Sequence, residues 1–214
     1  MSLPFTPLQF FDVFEQYNET VWPAQILIYI LALIVFYNIL KPGKYSNKII
    51  STILAFLWLW MGVVYHWSFF ASINAAARLF ALLFVIEGAI LSYEGIVKSR
   101  LAFSFDKKSR QDLIGVSLLI FGTVIYPLLG YALGHAFPDA PTFGLPCPTT
   151  IFTFGALLLT RNIPRYVAMI PFLWSLLGFM AALSLGVKED IFLLLAGLIG
   201  ARYILFSARI STER

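Results

Sequence analysis

Seven apolar segments separated by short polar connectors dominate this chain. An α-helix needs about 20 apolar residues to cross the hydrocarbon core of a bilayer, and most of these segments approach that length. The pattern predicts an all-α polytopic membrane bundle of seven transmembrane helices, with the fifth one short. The predicted spans are residues 24–40, 49–66, 75–97, 113–135, 149–160, 167–186 and 191–207.

Composition supports a membrane protein and excludes an ordinary soluble domain. Hydrophobic residues make up 60% of the 214 residues and charged residues only 12%, about half the share in a typical soluble protein. Seven spans would occupy most of the chain. We therefore expect one bundle over 24–207 with no separate soluble domain.

The first 23 residues differ from the rest and predict an interfacial amphipathic helix. Thr6-Pro7-Leu8-Gln9 has the form of a capping box, with proline at the first helical position. Leu8, Phe11 and Phe14 then follow at helical spacing, opposite acidic residues. Such a helix is expected to lie along the membrane surface with its apolar face toward lipid.

Basic residues alternate between the connectors and predict the orientation. Only Arg78 and Lys188 belong to the basic-poor side. The opposite side carries Lys41, Lys44, Lys48, Lys98, Arg100, Lys107, Lys108, Arg110, Arg161, Arg165, Arg209 and Arg214. The positive-inside rule then places the N-terminus outside and the tail 208–214 in the cytoplasm. The net charge of +4 follows helix ends and forms no continuous face, which argues against a nucleic-acid partner and for the lipid bilayer.

Both histidines and the single cysteine fall at the predicted outer ends of spans. His66 ends the second span, His135 ends the fourth, and Cys147 precedes the fifth. Pro148 suits a first helical position, which would place Cys147 at the N-cap, where the helix dipole favours a thiolate. Two imidazoles and a thiolate predict a site for zinc, copper(I) or another soft metal ion.

Other interpretations of these three residues stay open. The histidines could be hydrogen-bonding groups at the interface, and the cysteine a small buried hydrophobe. Cys147 could also be a nucleophile with a histidine base. The chain is thus expected to bind or transport a small solute or metal ion. The alternatives are a metal-dependent membrane enzyme acting on a lipid or small molecule, and a structural or partner-binding subunit, with the oligomeric state left open.

Two charged residues lie deep within predicted spans. Glu87 and Arg202 are each about 17 Å from the outer ends of spans three and seven, at the helical rise of about 1.5 Å per residue. Because an isolated charge at this depth costs at least about 2.5 kcal/mol, we expect the two to form an intramembrane ion pair. The pair could be a static contact or an ion relay.

Several short segments resemble a family of bacterial multi-pass membrane proteins of unknown function. They are Leu3-Pro4-Phe5-Thr6, Val21-Trp22-Pro23-Ala24-Gln25, Trp58-Leu59-Trp60-Met61-Gly62, Tyr65-His66 and residues 141–150, Pro-Thr-Phe-Gly-Leu-Pro-Cys-Pro-Thr-Thr. The resemblance covers nearly the whole chain. It implies a bacterial inner-membrane location, and it implies no particular activity.

Overall fold

The computed structural model describes residues 4–161 and 163–205, and this part of the chain folds into eight helices. These are α1 Pro7–Val21, α2 Ala24–Leu40, α3 Ser46–Ser72, α4 Ala77–Val97, α5 Arg110–Ala132, α6 Pro146–Leu158, α7 Arg165–Leu185 and α8 Ile191–Gly200, which a π turn extends over Ala201–Leu205. The predicted tail 208–214 and the end of the seventh predicted span lie outside the described residues. The all-helical class is confirmed.

The number of candidate membrane spans is smaller than predicted. Four helices, α3, α4, α5 and α7, are long and apolar enough to cross a membrane. A fifth span results if α1 and α2, which meet at an angle of 86°, are taken together. The prediction of seven spans is therefore wrong for the described residues, although a helix lies at each predicted position.

Helix α6 shows why the apolar pattern overstated the number of spans. Its 13 residues rise only about 20 Å, less than the thickness of about 30 Å of a hydrocarbon core. All of its side chains except that of Cys147 are buried among other helices. Its sequence is apolar because it forms the centre of the protein core, and a short apolar run cannot distinguish burial in protein from contact with lipid.

The long helices carry large apolar side chains on their outer surfaces. Leu79 and Leu82 of α4 are 58% and 55% exposed, and Met180 and Leu183 of α7 are 63% and 64% exposed. Soluble monomers rarely leave apolar faces of this kind uncovered. The exposed faces and the lengths of the four helices together indicate a membrane protein.

Three of the long helices contain π turns. The π turn of α3 runs over Met61–Phe69, that of α4 over Tyr93–Val97, and that of α5 over Phe121–Ile125. In α5 it ends just before Pro127, whose missing N–H leaves a carbonyl of the preceding turn without its usual donor. Single π turns of this kind are frequent at functional sites.

The basic connectors lie together at one end of the molecule. The guanidinium of Arg161 donates to the buried carboxylate of Asp112 and to the hydroxyl of Ser104. The backbone N–H of Ser104 also donates to the carbonyl of Leu159 at the end of α6. Phe103 N–H donates to Oδ1 of Asn47, in the first turn of α3. These bonds join the connectors that follow α4 and α6 to one end of the bundle.

The proline-rich connector 133–145 lies at the opposite end and is held by α1 and α2. The buried amide of Asn18 donates to the carbonyls of Ala140 and Pro138, and its Oδ1 accepts from Gln25 and Thr142. The capping box predicted at Thr6 and Gln9 is present at the start of α1.

The buried face of α1 differs from the predicted lipid face. Val13, Phe14 and Tyr17 are buried against the protein, while Leu8 is 72% exposed. Helix α1 thus uses its apolar side to cover the end of the bundle.

Candidate functional site

A pocket of about 400 Å³ lies beneath α1. Its wall is mostly apolar and includes seven aromatic side chains: Phe5, Phe10 and Phe14 from the α1 region, Tyr65 and Phe70 from α3, Phe80 from α4, and Trp174 from α7. A volume of this size suits a small organic molecule rather than a bare ion. Leu177 and Met180, which are about half exposed or more on the outer face of α7, also line it, so one side of the pocket borders the surface that lipid would cover.

The polar side chains of the pocket wall include Asn74, Ser184, Cys147 and Asp190, and Asp190 is the one carboxylate among the lining residues. Cys147 is in the first turn of α6, and Asp190 immediately precedes α8. The Cys147 thiol donates a hydrogen bond to the Asp190 carboxylate. Behind it, the buried hydroxyl of Tyr126 donates to Oδ1 of the same carboxylate. Asp190 therefore accepts from two helices, α5 and α6, and joins them to the start of α8.

Next to the Asp190 carboxylate, Glu189 and His135 form a second polar pair. Glu189 is fully buried, and its Oε1 lies 2.8 Å from Nδ1 of His135. The His135 ring stacks on Phe11 of α1 at a centroid distance of 4.8 Å. His135 and Glu189 thus connect the end of α5, the start of α8 and the covering helix α1.

The surroundings of Asp190 change its acidity. Burial raises the pKa of this carboxyl from 3.8 to about 7. The hydrogen bonds from Tyr126 and Cys147 and the charge of His135 lower the pKa, and the negative charge of Glu189 raises it. A carboxyl that is half ionised near neutral pH at the edge of a cavity is a common feature of functional sites.

The structure places His66 away from these polar groups. Its ring is fully buried in the π turn of α3, with Phe84 at 4.5 Å and Trp174 at 5.1 Å between ring centroids. Both ring nitrogens lack a hydrogen-bond partner within the described part of the chain. The rings around this histidine are those of Tyr65, Phe70, Phe80, Phe84 and Trp174.

The predicted metal site of His66, His135 and Cys147 receives no support from this arrangement. The three residues have separate surroundings, namely an aromatic cluster, the Glu189 carboxylate and the Asp190 carboxylate. Among the described residues, no group of three or more His, Cys, Asp or Glu side chains is placed to hold a metal ion. The chain folds so that each of the three contacts a different neighbour.

The expected N-cap position of Cys147 is wrong. Helix α6 begins at Pro146 with Leu145 as its N-cap, which places Cys147 inside the first turn. Its thiol donates to a carboxylate, and a neighbouring negative charge opposes formation of a thiolate. This geometry favours a hydrogen-bond donor over the nucleophile that the sequence left open.

The expected ion pair between Glu87 and Arg202 is not formed as a hydrogen-bonded contact. Glu87 is fully buried on α4, and neither of its carboxyl oxygens has a hydrogen-bond partner among the described residues. Arg202 belongs to the π turn that extends α8, and it is an exposed residue. Similar depth along two helices does not require that their side chains point toward each other.

Sequence reasoning missed the two acidic residues that organise this site. Glu189 and Asp190 follow Lys188 in a short connector and read as ordinary loop charges. Their one distinguishing signal was a position on the same predicted side as His135 and Cys147. Tyr126 and Trp174 carried no signal of their own, because buried aromatic residues are common in all helical bundles.

The fold and the pocket define a helical membrane protein with a largely apolar cavity at one end and a buried carboxylate in its wall. The chain belongs to the family of unknown function DUF6064, whose model matches residues 8–214. This confirms the expected membership of an uncharacterised family. Comparison with curated proteins and with solved structures found no match for this chain.

Proposed function

We propose that this protein is a multi-pass inner-membrane protein that binds a small, largely apolar solute in the pocket beneath α1. The observation that carries the proposal is the combination of an aromatic cavity of about 400 Å³ with one carboxylate, Asp190, in its wall. Apolar pockets with a few convergent polar groups are the usual form of small-molecule sites. The proposed solute has an apolar body and one donor group.

The polar group of the solute follows from the chemistry of the wall. An ionised Asp190 accepts hydrogen bonds and attracts positive charge, and the faces of Trp174 and Tyr65 attract cations as well. An amine or a comparable cationic donor therefore suits this wall better than a carboxylate. An anionic solute would meet the repulsion of both Asp190 and the adjacent Glu189.

The orientation that we propose places this pocket on the outer face. The pocket is built from residues near the connectors that carry few basic residues, such as Asn74, Leu145 and Asp190. The connectors rich in lysine and arginine meet at the other end, around Asp112 and Arg161. By the positive-inside rule, the basic end is cytoplasmic and the N-terminus is outside.

The border with lipid supports a route of entry. Leu177 and Met180 line the pocket and are exposed on the outer surface of α7. A solute with an apolar body concentrates in the bilayer. Because the bilayer borders the pocket, the solute can enter the cavity from the side. We include this lateral route in the proposal.

Three matched aromatic probes test the proposal: phenethylamine, ethylbenzene and phenylacetate. Binding to the purified protein in lipid nanodiscs is followed by the change in tryptophan fluorescence, to which Trp174 in the pocket wall contributes, at a pH above the pKa of about 7 of Asp190. We expect the amine to bind more tightly than ethylbenzene, and phenylacetate more weakly than both. The Asp190→Asn variant should lose the preference for the amine while still binding ethylbenzene.

Two alanine substitutions provide the matched controls. Ala181 lines the pocket, so Ala181→Phe should fill it and abolish binding of all three probes. Ala132 is exposed at the end of α5, so Ala132→Phe should leave binding unchanged. Equal binding by the Ala181→Phe and unsubstituted proteins, or a preference for phenylacetate, would contradict the proposed site.

A further inference from the structure

Several buried polar atoms have no hydrogen-bond partner among the residues that the structure describes. On α3, α4 and α7 they include both ring nitrogens of His66, both carboxyl oxygens of Glu87, and Nε1 of Trp174, which lines the pocket. A buried polar group with no hydrogen bond costs about 1–3 kcal/mol, and native proteins contain few of them. Several such groups in one region require a common explanation.

His66 and Trp174 form one aromatic cluster with Phe84, and Glu87 lies on the same buried face of α4 as Phe84. Trp174 lines the pocket, and its ring lies 5.1 Å from that of His66 and 4.9 Å from that of Phe84, measured between centroids. Glu87 follows Phe84 by three residues on the buried face of α4. Because residues three apart are neighbours on a helix surface, Glu87 lies about one turn deeper than Phe84. The cluster therefore extends from the pocket wall into the bundle.

The surroundings of Glu87 do not suit an isolated carboxylate. It lies within the candidate span α4 and is fully buried. The titratable residues on the elements packed against α4 are Lys48, Tyr65 and His66 of α3 and Arg165 and Tyr166 of α7. None of them hydrogen-bonds to Glu87, since both of its oxygens are without a partner in the described region. An ionised carboxylate here would cost several kcal/mol, and a protonated one removes most of that cost.

The π turn of α3 supports a role for His66. It spans Met61–Phe69 and contains both Tyr65 and His66, so the backbone departs from regular α geometry at the level of the cluster. Such turns persist because they reposition particular side chains, often at functional sites. Here His66 is directed among Phe84 and Trp174, where its two nitrogens have no hydrogen-bond partner among the described residues.

We propose that Glu87 is a proton-binding site inside the helix bundle, reached from the pocket through His66 and bridging water. The carboxylate takes up one proton from bulk water and becomes a neutral carboxylic acid. The unpartnered nitrogens of His66 accept and donate hydrogen bonds along the same path. A membrane site of this kind matches the general role of buried carboxyl and imidazole groups in proton pathways. It goes beyond solute binding and does not depend on which molecule the pocket takes.

Infrared spectroscopy of the protein in lipid nanodiscs tests the proposal, with protons and deuterons from the solvent as the probe. Because Asp190 is also partly protonated near neutral pH, the measurements use the Asp190→Asn background. We expect the C=O band of a protonated carboxylic acid at neutral pH, lost in Glu87→Gln and displaced in Glu87→Asp. Transfer to D₂O should shift this band while the protein stays folded, and His66→Phe should slow the shift.

Glu94 provides the matched control on the same helix. It is also fully buried, but its Oε2 pairs with Arg100 at 3.2 Å, so Glu94→Gln should leave the band in place. Absence of the band in the Asp190→Asn protein would overturn the proton site. A band that does not exchange in D₂O, or exchange that His66→Phe leaves unchanged, would overturn the path from the pocket. Solute binding is measured in a separate experiment, so failure of the proton-site proposal does not affect the test of solute binding.

Discussion

At the scale of single residues, the burial and raised pKa of Asp190 could not be predicted from its position in the sequence. It follows Lys188 and Glu189 in a short connector, where a solvated carboxylate is the ordinary expectation. The packing of α5 and α6 around the start of α8 buries it and supplies Tyr126 and Cys147 as donors. Its pKa therefore depends on Cys147 and Tyr126, which precede it in the chain by 43 and 64 residues.

The raised pKa of Asp190 predicts a pH dependence of stability. The folded state prefers the protonated carboxyl, because its pKa is about 7 in the fold against 3.8 when unperturbed. The stabilisation is fully present below pH 3.8 and is lost as the pH rises through about 7. The effect is on the order of a few kcal/mol at most, since one pKa unit corresponds to about 1.4 kcal/mol. The groups facing it are Tyr65, Tyr126, His135, Cys147 and Glu189.

Thermal unfolding of purified protein between pH 5 and 8 measures this effect, a range chosen to bracket the pKa of about 7. The Tm of the unsubstituted protein should fall across that range, and Asp190→Asn should flatten the dependence. Asp139, an exposed aspartate at the same end, supplies the control, since Asp139→Asn should retain the original slope. An unchanged slope in Asp190→Asn would show that another group titrates.

The same scale shows what residue type alone could predict. Of the three residues in the predicted metal site, His135 and Cys147 each lie beside a buried acid of this site. Their convergence on a metal could not be inferred, because shared depth says nothing about the direction of a side chain around its helix. A rotation of about 100° per residue separates neighbours on a helix, so a small change in register redirects the contact.

At the scale of elements, the contact between α5 and α6 depends on two glycines. A methyl group at Gly115 would lie 2.8 Å from the carbonyl oxygen of Gly155, and one at Gly155 would lie 2.7 Å from that of Gly115. The backbones therefore meet without side chains between them. Small residues at helix crossings allow such an approach in membranes. This contact keeps α6 in the centre of the bundle, where its first turn places Cys147 at the pocket.

Substitution at this crossing is expected to destabilise the protein. Gly115→Ala and Gly155→Ala must each push the helices apart, at a cost of about 1–3 kcal/mol for overpacking. The unfolding temperature in detergent should fall for both variants. Gly43 lies in an exposed connector with its nearest neighbour, Ser46 Oγ, at 3.9 Å from an added methyl, so Gly43→Ala should be neutral. A Gly115→Ala protein as stable as the Gly43→Ala control would contradict this account of the contact.

Element positions were more predictable than element roles. The apolar runs located the helices that the structure describes, and Thr6 with Gln9 located the start of α1. The role of α6 could not be predicted, because its apolar residues satisfy the hydrophobic requirement of a core and of a bilayer equally well. The direction of the apolar side of α1 was predicted only in part, since Phe14 packs against the bundle end while Leu8 stays exposed. Its place at the membrane surface stays a prediction.

At the scale of the whole molecule, the two ends of the bundle differ in chemistry. One end joins the basic connectors through Asp112 and Arg161, and the other carries the covering helix α1, the proline-rich connector and the pocket. This asymmetry is the physical basis of the proposed orientation, because cytoplasmic connectors retain lysine and arginine during insertion.

Labelling of single cysteines tests the orientation in intact bacterial cells. In a Cys147→Ser background, the exposed positions Asp139 and Lys107 mark the two ends. A membrane-impermeant maleimide should label the Asp139→Cys variant in intact cells, and the Lys107→Cys variant only after the membrane is opened. The reverse pattern would place the pocket in the cytoplasm, and labelling of both variants in intact cells would contradict either orientation.

The amino-acid sequence by itself determined the helical class, the membrane environment and the family. These follow from composition and from the spacing of apolar residues, which are local properties and need no knowledge of packing. The tertiary structure alone decided how many helices are long enough to cross a membrane, which side α1 covers, and that Asp190 meets Tyr126 and Cys147. Those outcomes depend on the rotation and crossing of helices, because a contact between distant residues is set by the directions of side chains and not by their order along the chain.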